Sequence, residues 1–233
     1  MDWQAMGKSN VLSLPDRLSI DLERLILDGT LAPGDRLPSE RELAAHLGVS
    51  RVSIRQALHE LESRGLIDRK PGRGTIVLSP GKAREVDGQG FDLTAHPDTT
   101  LEQIMELRAI IEPPAARLTA SRATARDIEQ LRELVVEMEG DVSKERYAQL
   151  DAAFHQAIAQ YTHNPLISLL NEQIATHIAP GRASRYQTRK RRNASSEAHR
   201  RIYEAIAAGD GDLAEYEARQ HVIVIRQLIT DVD

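Results

Sequence analysis

Asp151 and His155 stand four residues apart, on one face of any helix that contains them. They border an apolar stripe of Tyr147, Leu150, Phe154 and Ile158. His199 flanks Ile202 and Ile206, and His221 falls amid Ala214, Ala218, Ile225 and Leu228. One carboxylate and three imidazoles directed inward from three helices form a donor set for a divalent metal. Zinc comes first, with nickel or manganese as alternatives, and coordination positions stay open. The spacing also suits a plainer reading, in which these histidines are hydrogen-bonded core side chains. A second group lies near the N-terminus, where Arg51, Ser53 and Arg55 share the first turn of a short helix opened by Ser50. The planar guanidinium fork can bond guanine O6 and N7 together, or grip a phosphate. Arg41 precedes the turn, and the tip Gly72-Arg73-Gly74 carries a single cation suited to a minor groove.

These residues need elements to position them. Leu18, Leu22, Leu25 and Ile26 recur at helical spacing after Pro15, and Gly29 ends the run. Ser39 and Glu42 form a capping-box pair ahead of Leu43, Ala44 and Leu47, and Gly48 stops that helix. The next helix buries Ile54, Ala57, Leu58 and Leu61 and ends at Gly65. Residues 66–70 and 75–78 read as two strands joined by Pro71-Gly72-Arg73-Gly74. Three helices followed by a hairpin make a winged helix-turn-helix. The expected organisation is a DNA-binding domain over 1–78, a linker rich in Gly, Pro and polar residues over 79–98, and a helical domain over 99–233. The fold class is mainly α, the second domain being an antiparallel bundle. Its six helices run over about 99–121, 125–140, 143–162, 164–180, 194–209 and 211–231. A seventh segment arises if Pro113-Pro114 starts a new helix instead of kinking the first. The run from Arg189 to Arg192 reads as a solvated loop between helices.

Composition narrows the class. The 233 residues are 41% hydrophobic and 28% charged but only 3% aromatic, which favours helices in a globular protein. There is no cysteine, hence no disulfide frame and no thiolate ligand. No apolar run is long enough to span a membrane and no secretory signal is apparent, so a cytoplasmic location is expected. The net charge of −5 conceals a local reversal. Residues 36–73 hold eight basic and five acidic side chains, an excess where phosphate attraction needs it.

The stretch LPSERELAAHLGVSRVSIRQAL, with ILDGTLAPGDR before it and LESRGLIDRKPGRGTIV after it, resembles the DNA-binding domain of the GntR family over about residues 14–78. That resemblance implies operator contacts at Arg41, Arg51, Ser53, Arg55 and Gly72. The chain departs from the family pattern at Gln56, where glutamate is usual. ELRAIIEPPAARLTASRAT, LDAAFHQAIAQYTHNPLI and EAHRRIYEAIAAGDGDLAEYEARQHV are similar to the FCD ligand-binding domain of the FadR branch, over about residues 100–228. This implies a divalent metal at Asp151, His155, His199 and His221, and an organic acid whose carboxylate completes the metal shell. It also places Arg108 toward the pocket, although an ion pair with Glu112 accounts for it equally well. Asn164, which reads as a helix start before Pro165, lies near the pocket in much of the family.

The resulting expectation is a regulator, acting as a repressor, whose hold on DNA depends on a small carboxylic, hydroxy or sugar acid bound at the metal. One short recognition helix reads few base pairs, so a homodimer on a pseudo-palindromic double-stranded operator follows. Two other readings compete. The metal itself could be the signal, or an open metal site could hydrolyse or decarboxylate a substrate. No separate general base is apparent for the latter, and the winged helix would be idle.

Overall fold

The computed structural model describes residues 12–70, 73–78, 100–178 and 188–230. Helix α1 (Leu14–Leu27) opens with a Ser13–Asp16 capping box. After strand β1 (Arg36–Leu37) come α2 (Glu40–Leu47) and α3 (Arg51–Ser63). Ser39 and Glu42 satisfy each other's backbone N–H groups at the start of α2, as their spacing requires. Gly48 ends α2 with φ 66°, a left-handed conformation that a β-carbon would oppose. Ser50 then accepts the Ser53 N–H at the start of α3. Strands β2 (Ile67–Lys70) and β3 (Gly74–Val77) pair antiparallel from Ile67 opposite Val77 to Lys70 opposite Gly74. Strand β1 adds to the other edge of β3, giving the order β1-β3-β2. Two residues carry no alternation, so this third strand is invisible in the sequence. Leu22, Ile26, Leu37, Ile54, Leu58 and Leu61 are among the side chains closing the core of the winged helix.

Among the described residues six helices follow: α4 (Leu101–Arg122), α5 (Ala125–Met138), α6 (Lys144–Tyr161), α7 (Pro165–Ile178), α8 (Arg189–Ala207) and α9 (Gly211–Thr230). Pro113 and Pro114 lie inside α4, which neither of them divides. Helix α8 begins five residues earlier than expected. Thr188 caps it, and the Arg189–Arg192 run is its first turn, with Arg191 buried, not a solvated loop. Leu134, Leu150, Phe154, Tyr161, Ile202 and Ile206 form the centre of the bundle core. No helix among the described residues is long and apolar enough to cross a membrane. The expected linker over 79–98 lies outside the described residues.

Helix α1 belongs to both halves. Its Leu27 packs into the bundle core, while Leu18, Leu22 and Ile26 pack into the winged helix. Glu23, fully buried, faces the bundle. Its carboxylate pairs with Arg126 of α5 and accepts hydrogen bonds from Tyr161 Oη at 3.2 Å and Gln160 Nε2 at 3.4 Å. Arg64, the C-cap of α3, approaches Glu23 at 3.7 Å and pairs with Asp127 of α5 at 2.7 Å. Burial opposes the Arg64 charge, but Glu23 and Asp127 outweigh it and hold its pKa above the ordinary arginine value. Asp28, also buried, pairs with Arg146 of α6 at 2.7 Å. Such pairs add little net stability over apolar packing, yet removing one member leaves the other charged and buried. Glu23→Ala is therefore expected to lower the unfolding free energy by about 3–5 kcal/mol. Glu129→Ala, which breaks an exposed pair with Arg132, should cost under about 1 kcal/mol. Denaturant titration of both variants checks the contrast.

Candidate metal centre and nucleic-acid interface

Helices α6, α8 and α9 bring three histidines together. The ring centroids of His155 and His199 are 5.1 Å apart, those of His199 and His221 4.7 Å, and those of His155 and His221 5.2 Å. One ring nitrogen from each lies within 4.8 Å of the others, close enough for a shared cation. Asp151 joins from one turn before His155, its Oδ1 3.6 Å from His199 Nε2 and 3.9 Å from His155 Nε2. All four residues predicted from the sequence thus meet in one buried place.

The chemistry of the cluster fits a divalent metal. Burial, then the neighbouring His199, His155 and Arg108, push the His221 pKa well below the usual imidazole value, which favours the neutral ring with one nitrogen lone pair open to a cation. The buried Nδ1 of His221 finds no hydrogen-bond partner among the described residues. Nδ1 of His155 lies 3.3 Å from Glu112 Oε2, the carboxylate relation that orients a metal-ligating imidazole. Ser195, one turn before His199, lies 3.5 Å from both Asp151 Oδ1 and His199 Nε2. The sequence reading passed over Ser195, although its i,i+4 spacing to His199 would have placed it on the same face.

Arg108 is buried in α4 and grips Glu112 with two bonds, Nε to Oε1 at 2.6 Å and Nη2 to Oε2 at 3.1 Å. The ion pair anticipated as its alternative role is therefore present. Arg108 also reaches His155 Nε2 at 3.3 Å, which keeps it beside the cluster. A small cavity opens next to His155, His221 and Glu112. Asn164 is not among its lining residues; its Oδ1 accepts the Leu166 N–H and starts α7. Asn171, two turns further along α7, lines the cavity in its stead. A helix-start signal is local, whereas a pocket wall depends on packing that residue order does not reveal.

On the winged helix, Arg41, Arg51, Arg55 and Arg73 are exposed. Arg55 pairs with Glu40 at 3.2 Å, and the same carboxylate holds Arg69 at 2.7 Å, tying α2, α3 and β2 together. Ser50 and Ser53 are linked through their hydroxyls at 2.9 Å. Gly72 lies outside the described residues. Val52 was missed in the sequence, yet it is 61% exposed in the first turn of α3, where an apolar side chain could meet a thymine methyl. The Arg36 guanidinium covers Gly74 so closely that a β-carbon there would lie 2.7 Å from Nε.

Comparison with known proteins agrees with both halves. Residues 16–77 match the model for bacterial regulatory proteins of the gntR family, and residues 103–223 match the FCD domain. The chain belongs to the GntR family. It is a transcription regulator with an FCD effector-binding domain, and its relatives are regulators, not enzymes. The Glc operon transcriptional activator of Escherichia coli K12 is 30% identical, over 91% of this chain and 87% of that protein. The galactonate operon transcriptional repressor of the same strain is 29% identical, over 89% and 93%. Among solved structures, the Streptococcus agalactiae GntR protein is 30% identical with a TM-score of 0.52, covering 91% of this chain and 99% of that one. GntR regulators bind DNA operators and small-molecule effectors and are often dimers. FCD domains often bind metals, and the histidine triad of this GntR chain is consistent with that habit.

Proposed function

We propose that this chain is a dimeric, cytoplasmic repressor whose grip on a pseudo-palindromic operator is set by a small organic acid bound at a metal. The observation that carries the reading is the convergence of His155, His199 and His221 beside a cavity, in a chain that also has a winged helix. Asp151 completes the protein ligands, and zinc suits a set of three imidazoles and one carboxylate. The metal would supply a positive charge with open positions for an anion. This chain's own residues do the rest: Glu112 orients His155, Arg108 holds Glu112, and the cavity beside them marks where the acid would approach. The DNA-binding domain spans 1–78 and the effector domain 99–233, with the linker between them.

Operator contact is assigned to Arg41, Arg51, Ser53 and Arg55 on the helix-turn-helix and to Gly72 and Arg73 on the wing, with Ser50 capping the recognition helix. Dimerisation is assigned to the outer face of α9. Leu213, Tyr216, Ile223 and Val224 are exposed there, opposite the buried Ala214, Ala218, Val222 and Ile225. Both an activator and a repressor stand among the relatives, so transcription measured with and without this chain decides the sign of control.

Two experiments follow. Zinc at about a hundredfold its Kd should add about 2.7 kcal/mol to the stability of chelator-treated protein, and His199→Ala should forfeit most of that gain. In calorimetry, lactate should bind the zinc-restored protein and not the chelated one. Equal binding to both forms would make the metal structural and end the proposal. For the DNA half, Arg51→Ala or Arg55→Ala should cost about 1–3 kcal/mol of operator affinity at fixed salt. Unchanged affinity in both variants would remove α3 from the groove.

A further inference from the structure

The recognition helix counts Arg51, Val52, Arg55, Gln56 and His59 among its exposed side chains. Arg55 is fixed there by a bond pattern that the operator assignments do not use. Its Nε and Nη2 both donate to Glu40 Oε2, each at 3.2 Å, while Glu40 Oε1 accepts from Arg69 Nη2 at 2.7 Å. Glu40 is the first residue of α2, and its side chain is 20% exposed against 58% for Arg55. With Oε1 held by Arg69, Oε2 is the oxygen that faces Arg55. A guanidinium has five N–H donors arranged along two usable edges. Glu40 occupies the edge formed by Nε and Nη2. The end-on edge, Nη1 with the second Nη2 hydrogen, keeps the fork that matches guanine O6 and N7.

Resting on the operator contact assigned to Arg55 above, we infer that Glu40 is a specificity-determining positioning residue, which presents the end-on edge of Arg55 to a base. A carboxylate beside the recognition helix opposes phosphate on every sequence alike, so it adds nothing to the general grip on DNA. What it supplies is the orientation of a reader. An arginine without a partner meets phosphate and base indiscriminately, and it gives up rotamer freedom when it binds. Held by Glu40, the same side chain arrives oriented and with part of its charge already answered. Base contact then counts for more than phosphate contact, and right and wrong sequences are separated further. The bond from Arg69 serves the same end, because it keeps the carboxylate from following Arg55. Glu40 itself touches no base; it acts through Arg55.

The test uses the full chain and two duplexes, one selected by the wild type from a randomised pool and one of shuffled sequence with the same composition. The readout is the ratio of their dissociation constants, with a salt series on the shuffled duplex. Glu40→Gln should lower that ratio at least about fivefold, the lower bound for losing one bidentate guanine contact. Its salt slope on shuffled DNA should steepen by up to about one, as a released arginine takes a phosphate. Glu40→Asp keeps the charge and shortens the reach, so the ratio should fall while the slope stays. In an Arg55→Ala background, Glu40→Gln should change the ratio by less than about twofold. An undiminished ratio in both Glu40 variants, or an equal fall with and without Arg55, would overturn the inference and leave Arg55 as an operator contact. If Arg55→Ala by itself leaves the ratio unchanged, the assignment of Arg55 to a base fails and the inference fails with it.

Discussion

A carboxylate with no access to water must be matched where it lies, and Glu23 is matched from both halves of the molecule. Arg126, Tyr161 and Gln160 reach it from the bundle, and Arg64 from the end of the recognition helix. Desolvating these charges takes back most of what their attraction supplies, so the network adds little to net stability. What it supplies is orientation. Apolar contacts alone would let α1 slide against the bundle, whereas a buried charge tolerates only arrangements that keep its partners in place. The recognition helix inherits that constraint directly, because its C-cap residue is one of the partners.

Helix α6 connects this junction to the histidine cluster. Asp151 and His155 lie on its middle turns, and Gln160 and Tyr161 lie at its end. Six helical steps take the chain from His155 to Tyr161, about 9 Å along a rod that does not stretch. The histidine cluster and the partners of Glu23 thus share one helix, with no intervening loop. Such a route transmits only the free energy by which an effector prefers one arrangement over the other.

Much of this was legible in the residue order. Capping boxes, stop glycines and apolar stripes are local signals, and they located α1, α2, α3 and the hairpin to within a few residues. Asp151, His155, His199 and His221 came together because each lies beside an apolar stripe that had to face the core. The departures share a cause. Strand β1 depends on a partner about forty residues away. The start of α8 hid behind four charged residues that look solvated until Arg191 is seen to be buried. Glu23, Arg64 and Arg126 meet only after two domains dock, and no periodicity records a contact over such separations. Asn171 was eclipsed by Asn164, whose position before a proline announces a cap, while a pocket wall announces nothing.

The central claim is that the histidine cluster and the DNA-reading face are thermodynamically coupled through the metal. Operator affinity measured in four states, chelated or zinc-loaded and with or without a short 2-hydroxy acid, tests it most directly. The account predicts that the acid shifts affinity by roughly 5–150-fold in the zinc-loaded protein and leaves the chelated protein unchanged. An equal shift in both forms, or no shift with zinc bound and the acid saturating, would contradict it.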